Sequence, residues 1–179
     1  MDLRSFMARE YARVGNIYLT DSTLSHAKHV AEKMRPHDIR ECAIHMLSPI
    51  EALTIPLETE GTKNYTVMHN DTPIGMCGTV ATEDNQARVW LLGTTDIDAN
   101  YFNFAKSSRV GVEFLQGTYD LIENYVPIDH HHTIMWLAWS GFVVLDERLI
   151  LNGHELLRFV RCNSVQFSVY NTSNRPVIH

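Results

Sequence analysis

The order of residue types across positions 121–142, LIENYVPIDHHHTIMWLAWSGF, constrains the fold more than any other part of the chain. Leu121, Ile122, Tyr125 and Val126 make a short apolar and aromatic run suited to a buried strand. Pro127 ends it, since proline has no N–H to contribute to a ladder. Asp129 is a good helix N-cap, and behind it Ile134, Leu137 and Ala138 recur at helical spacing, flanked by Trp136 and Trp139. Gly141 stands where a helix needs a left-handed residue to stop, and residues 142–145 resume as a strand.

Working outward, residues 2–14 place Leu3, Phe6, Met7, Tyr11 and Val14 on one helical stripe, with Arg4, Arg9, Glu10 and Arg13 off it. This predicts an amphipathic helix that Gly15 stops, followed by a turn-like linker over 16–25 and a first strand over 26–34. Arg35 and Pro36 then turn the chain into a helix. Ser48, Pro49 and Glu51 occupy the N-cap, first and third positions of a second one, a capping box. Residues 65–69 and 74–80, joined by polar turn residues, form a hairpin. Gly75 and Gly78 in its second arm mark a bulge or close packing. Residues 87–92 are a central strand and 100–118 the longest helix. That helix supplies the crossover for parallel pairing with 121–126. A loop over 146–153 leads to a last strand over 155–161. The expected organisation is an N-terminal helix and linker at 1–25, one domain at 26–162, and an extension at 163–179. The extension carries a strand at 165–170 suited to adding to another chain's sheet edge.

A length of 179 residues, with 45% apolar and 20% charged, suits one soluble globular domain. The net charge of −6 gives no basic field for nucleic acid or an anionic membrane. Cys42, Cys77 and Cys162 are few, odd in number and far apart, which predicts free, mostly buried thiols in a reducing compartment. No apolar run approaches the ~20 residues of a membrane span, and the first residues lack the apolar stretch of a signal peptide. The expectation is a protein of the cytoplasm, or one made there and carried elsewhere inside an assembly. Asp129, His130, His131 and His132 look like a metal run. Adjacent helical residues, however, point about 100° apart, so the run reads as a solvated helix N-terminus.

The strand–helix order, with a helix running into Gly141 and Phe142, resembles the GNAT (Gcn5-related N-acetyltransferase) fold. More narrowly, it resembles the GNAT-like proteins of short-tailed bacteriophages and prophages. The residues that carry this are Arg35, Pro36, Asp38 and Ile39; Ser48, Pro49, Glu51 and Ala52; and Trp90 through Thr94. Leu121, Asn124, Tyr125 and Val126, and then Trp136, Leu137, Trp139, Gly141 and Phe142, continue the pattern. The resemblance implies an α/β (α+β) fold, a bent mixed central sheet with helices on both faces.

It also shows what this chain lacks. The family binds the pyrophosphate of acetyl-CoA on an Arg/Gln-x-x-Gly-x-Gly/Ala turn, where consecutive backbone N–H groups cradle the anion. Here Gly93 is alone, and Asp96 and Asp98 stand where the diphosphate would lie, read as helix N-caps. The family's tyrosine acid, four residues before the glycine, is Leu137, and its asparagine is His130. The implied expectation is a catalytically degenerate fold with no catalytic, cofactor-binding or metal residues and no cofactor. It would act through protein–protein contacts with phage structural or assembly proteins, or with itself, in the host cytoplasm during assembly and in the virion. The alternative is a divergent acetyl-CoA-dependent N-acyltransferase that modifies a host or phage amine.

Overall fold

The computed structural model describes residues 9–83 and 85–163. Its elements run β1 Glu10–Val14, β2 Ile17–Asp21, α1 Leu24–Glu32, α2 Pro36–Ile44, α3 Pro49–Glu58, β3 Thr62–His69 and β4 Thr72–Glu83. They continue with β5 Gln86–Gly93, α4 Thr95–Ala99, α5 Tyr101–Gln116, β6 Leu121–Pro127, α6 His131–Trp139, β7 Val143–Leu151 and β8 His154–Cys162. One eight-stranded sheet has the order β1-β2-β3-β4-β5-β6-β8-β7. Among the described residues only the β5–β6 pair is parallel, and α5 supplies the crossover that parallel pairing requires.

Three expectations at the start of the chain are overturned. The described part of 2–14 is a strand, since Glu10 pairs with Thr20 and Tyr11 with Leu19. The aromatic stripe is real but serves another geometry, with the Tyr11 ring packed on Tyr65 and Phe114 at 5.3 and 5.2 Å. The rest of that predicted helix lies outside the described residues, as does the predicted strand at 165–170. The segment 26–34, read as a strand, is mostly helix α1. Thr23 caps it, accepting the His26 N–H at 3.2 Å. The residues it buries completely, Ala27 and Val30, are three apart, a helical period rather than an alternation. The segment 16–25 contains β2 where a linker was expected. Likewise 146–153 is largely the end of β7, which turns through Asn152 and Gly153, both at positive φ, into β8.

Local signals hold elsewhere. Ser48 and Glu51 form the reciprocal capping box of α3. Gly141, at φ 93°, follows the α6 C-cap in the left-handed region. A Cβ at Gly78 would lie 2.2 Å from the Lys63 backbone oxygen, so the β3–β4 approach admits only glycine.

Two apolar clusters flank the sheet. Phe104, Val112 and Leu137 join α5 and α6 to it on one side, while Ala27, Val30 and Leu53 join α1 and α3 on the other. The pleat assigns β5 to both. Val89 and Leu91 pack with the first cluster, Trp90 and Leu92 with the second. Among the described residues no helix is long and apolar enough to cross a membrane.

Candidate active site

The parallel ladder between β5 and β6 stops early. Gln86, Ala87 and Arg88 pair with Leu121, Ile122 and Glu123, and nothing pairs beyond them. Asn124 sits at the fork, its side-chain amide donating to the Val89 carbonyl at 2.9 Å. Past it a cleft of about 470 Å³ opens, lined by Val89 and Leu91 of β5, Tyr125 and Val126 of β6, and Trp136 and Leu137 of α6. The start of α2 contributes the polar wall: Arg35, His37, Asp38 and Glu41.

That wall is fixed to the end of β5. The Arg35 Nε and Nη2 donate to Asp38 Oδ2 at 2.9 and 2.8 Å, and the same oxygen accepts the Gly93 N–H at 2.7 Å. Arg35 N–H in turn donates to the Gly93 carbonyl at 2.9 Å, and Asp98 lies 3.6 Å from the guanidinium. The Asp38 side chain is 4% exposed.

The turn after β5 is committed to internal partners. Thr94 N–H donates to Ile74 O at 2.8 Å, Thr95 to Lys33 O at 3.2 Å and Ile97 to Thr94 O at 3.1 Å. Asp96 N–H donates to the Thr94 hydroxyl at 3.3 Å. With Gly93 held by Asp38, the backbone donors from 93 to 97 are all used, so this turn does not fit a diphosphate. Thr94 is the N-cap of α4, and Asp96 and Asp98 stand in its first turn rather than at the cap. The next helix differs. Asn100, the N-cap of α5, makes no side-chain cap bond and donates instead to Asp96 O at 2.9 Å. The first turn of this 16-residue helix therefore lacks the usual acceptor for its N–H groups.

Glu41 is the residue that sequence reasoning missed. It lines the cleft from α2, and burial, reinforced by the neighbouring Asp38 charge and only partly offset by Arg35, pushes its carboxyl up to about 8. The available signal was its place beside Asp38 and Cys42 on the inward stripe of α2, where a carboxylate is out of place unless it has work to do.

The histidine run divides. His131 and His132 are exposed, but His130 is 8% exposed, with neither ring nitrogen hydrogen-bonded, against the expectation of a solvated terminus. Its ring meets His37 edge-on at 5.9 Å. Burial, with Arg40 close by, holds its pKa below the usual histidine range. His130 also replaces Asp129 as the α6 N-cap position, because Asp129 is engaged by Arg40 at 2.8 Å. No group of three or more His, Cys, Asp or Glu among the described residues is placed to hold a metal. Trp136 belongs to the core, its N–H on Ser108 Oγ at 3.1 Å. Trp139 is half-exposed beneath Arg109, 4.1 Å from its ring centroid.

A mixed sheet whose parallel pair splits around a cleft, with helices on both faces, is a GNAT-like acetyltransferase fold. Solved structures agree. The RimL ribosomal L7/L12 alpha-N-protein acetyltransferase superposes with a TM-score of 0.66 at 12% identity, over 89% of this chain and 97% of its own. AAC(6')-Ib, solved with ribostamycin and coenzyme A, gives 0.67 at 15% identity over 89% and 99%. A spermidine N-acetyltransferase SpeG chimera from Vibrio cholerae and hSSAT gives 0.60 at 12% over 83% and 96%. No protein-family model matches the sequence, and neither does any curated protein.

Proposed function

We propose that the protein is an N-acyltransferase that moves an acyl group from a thioester to an amine, with Glu41 as the general base. The observation that carries this reading is the cleft at the β5–β6 fork with an uncharged-leaning carboxyl on its wall. The acetyltransferase structures of the same fold support it.

The residues fit such a donor unevenly. Val89, Leu91, Trp136 and Leu137 give the cleft apolar walls for a slender thioester arm. The turn at 93–97 leaves no donor for a diphosphate, so that end of coenzyme A would meet the first turn of α5 alone. When bound, an acyl thioester supplies an activated carbonyl carbon and a thiolate that departs readily. The chain's own task is at the nitrogen. The amine's C–N bond forms as the C–S bond breaks, and Glu41 receives the proton the nitrogen gives up. Because thiols have pKa values near 8.5, the leaving sulfur has little need of an acid. This makes Leu137 tolerable where the family has tyrosine. The cleft hydroxyl of Thr133, one turn before Leu137, and solvent are available to return a proton.

The committed donors at 93–97 favour a second reading, a non-catalytic fold kept for contacts in a phage particle or its assembly. One experiment separates the two. Purified protein is incubated with acyl-CoA and a panel of amines while released thiol is followed. Amine-dependent release that falls a hundredfold or more in Glu41→Gln is expected, the usual scale of general-base catalysis being about 10²–10⁴. Neither turnover nor a melting shift with millimolar acyl-CoA would hand the protein to the assembly reading.

A further inference from the structure

Behind the cleft, between the sheet and α5, lies a second space of about 80 Å³. Its walls include Ile17, Val67, Val112 and Leu115, and its serine hydroxyls are engaged. Ser107 Oγ donates to Phe104 O at 2.8 Å and Ser108 Oγ to Ala105 O at 2.7 Å. A space so apolar, half open rather than sealed, does not hold ordered water, which needs two to four polar partners. Gly111 helps to keep it. The residue lies on the inward stripe of α5 with Phe104, Ser107, Ser108 and Val112, and a Cβ built there meets nothing within 4 Å. Glycine inside a helix is itself unfavourable by about 1 kcal/mol against alanine, so nothing local recommends it at this position.

Val89, Leu91, Phe104, Trp136, Leu137 and Phe159 line both this space and the cleft. The two spaces therefore adjoin, bordered by the same apolar side chains. Leu137 is among them, so the position that would carry a hydroxyl in the family's pattern here presents hydrocarbon to both sides.

We propose that this cavity receives the tail of the transferred acyl group, so that the donor is a short-chain aliphatic acyl thioester longer than acetyl. The proposal rests on the acyl-transfer reading of the cleft. An apolar cavity of about 150 Å³ accommodates benzene, so 80 Å³ takes roughly three carbons, the length of a butyryl tail beyond its carbonyl. A longer straight chain overfills it.

The test compares acetyl-, propionyl-, butyryl- and octanoyl-CoA, by thiol release and by melting shift, in the wild type and in Gly111→Leu. Each buried methylene is worth about a factor of four, so butyryl-CoA is expected to exceed acetyl-CoA by roughly fifteenfold in kcat/KM. It should also give the largest melting shift. In Gly111→Leu, which fills the space, the butyryl-to-acetyl ratio is expected to fall to one or below. Gly111→Ala adds a single methyl into open space and covers the case in which the leucine variant fails to fold; its optimum is expected to move from butyryl to propionyl. A wild type that prefers acetyl-CoA, or a chain-length preference that neither variant changes, overturns the proposal. If no thioester is turned over, the acyl-transfer reading fails by itself, and the cavity is judged by melting shifts. A butyryl-CoA shift above that of acetyl-CoA, present in the wild type and lost in the variants, supports the tail site. Equal or absent shifts overturn it.

Discussion

Asp38 accepts the backbone N–H of Gly93 at 2.7 Å, joining the start of α2 to the end of β5 across 55 positions of chain. Its carboxylate also neutralises Arg35, whose side chain is 12% exposed. Removing one member of such a pair leaves a buried charge and a buried N–H without partners, which costs about 3–5 kcal/mol. Asp38→Ala is expected to lose stability on that scale in urea denaturation, and Asp38→Asn to lose less. A loss under about 1 kcal/mol in the alanine variant would show that the polar wall of the cleft is not held from here.

With Glu41 as the proposed base, activity and stability are expected to respond oppositely to pH. Its carboxyl, pushed from an ordinary 4.5 up to about 8, binds a proton more tightly folded than unfolded. Stability is therefore fully present below 4.5, falls as pH rises through the window to about 8, and is level beyond. A general base must be ionised, so turnover is expected to climb across the same upper range. Glu41→Gln should cut turnover by about a hundredfold or more while melting higher than the wild type, by a margin that widens from pH 5 to pH 8. A margin independent of pH would remove Glu41 from its assigned role.

His130 has the reverse sign. Burial lowers its pKa from 6.5, so the unfolded chain takes the proton first and stability falls as pH drops below that value. Arg40 and His37 oppose the charged ring, while Asp129 and Asp38 favour it only in part. His130→Phe, which replaces a ring with two unpartnered nitrogens by one with none, is expected to gain on the wild type as pH falls from 7 to 5. Parallel melting curves across that range would contradict the assignment.

Gly78→Ala tests the close approach of β3 and β4. The obstacle is the Lys63 backbone oxygen at 2.2 Å, which cannot swing aside as a side chain would. Overpacking of this kind costs about 1–3 kcal/mol, expected here as a lower denaturation midpoint with the slope unchanged. An unaltered midpoint would mean that the strands separate freely.

Features whose cause lies within a few residues were legible in the chain alone. Ser48 and Glu51 announce the start of α3, Gly141 the end of α6, and the polar turn before Ile74 the β3–β4 hairpin. The long segment before Leu121 required β5 and β6 to be parallel. Tyr11 and Val30 were misread because a short apolar run suits both periods. The choice was made by partners far along the chain: Tyr65 and Phe114 for Tyr11, and the α3 and sheet packing for Val30. The cleft depends on tertiary structure more deeply still. It exists because a ladder stops after Arg88 and Glu123, and a fork between strands separated by a whole helix has no imprint in either strand. The single glycine at 93 is plain in the chain, but the partners of the N–H groups around it are not. Thr94 takes the N–H groups of Asp96 and Ile97 locally, while those of Gly93, Thr94 and Thr95 go to Asp38, Ile74 and Lys33, residues that only folding brings to the turn. Glu41 became notable for the same reason, since the proton affinity of a carboxyl is set by the water and charges around it. The charges come from Asp38 and Arg35, near neighbours in sequence, but the burial that dominates is set by the cleft walls of β5, β6 and α6, which only folding brings together.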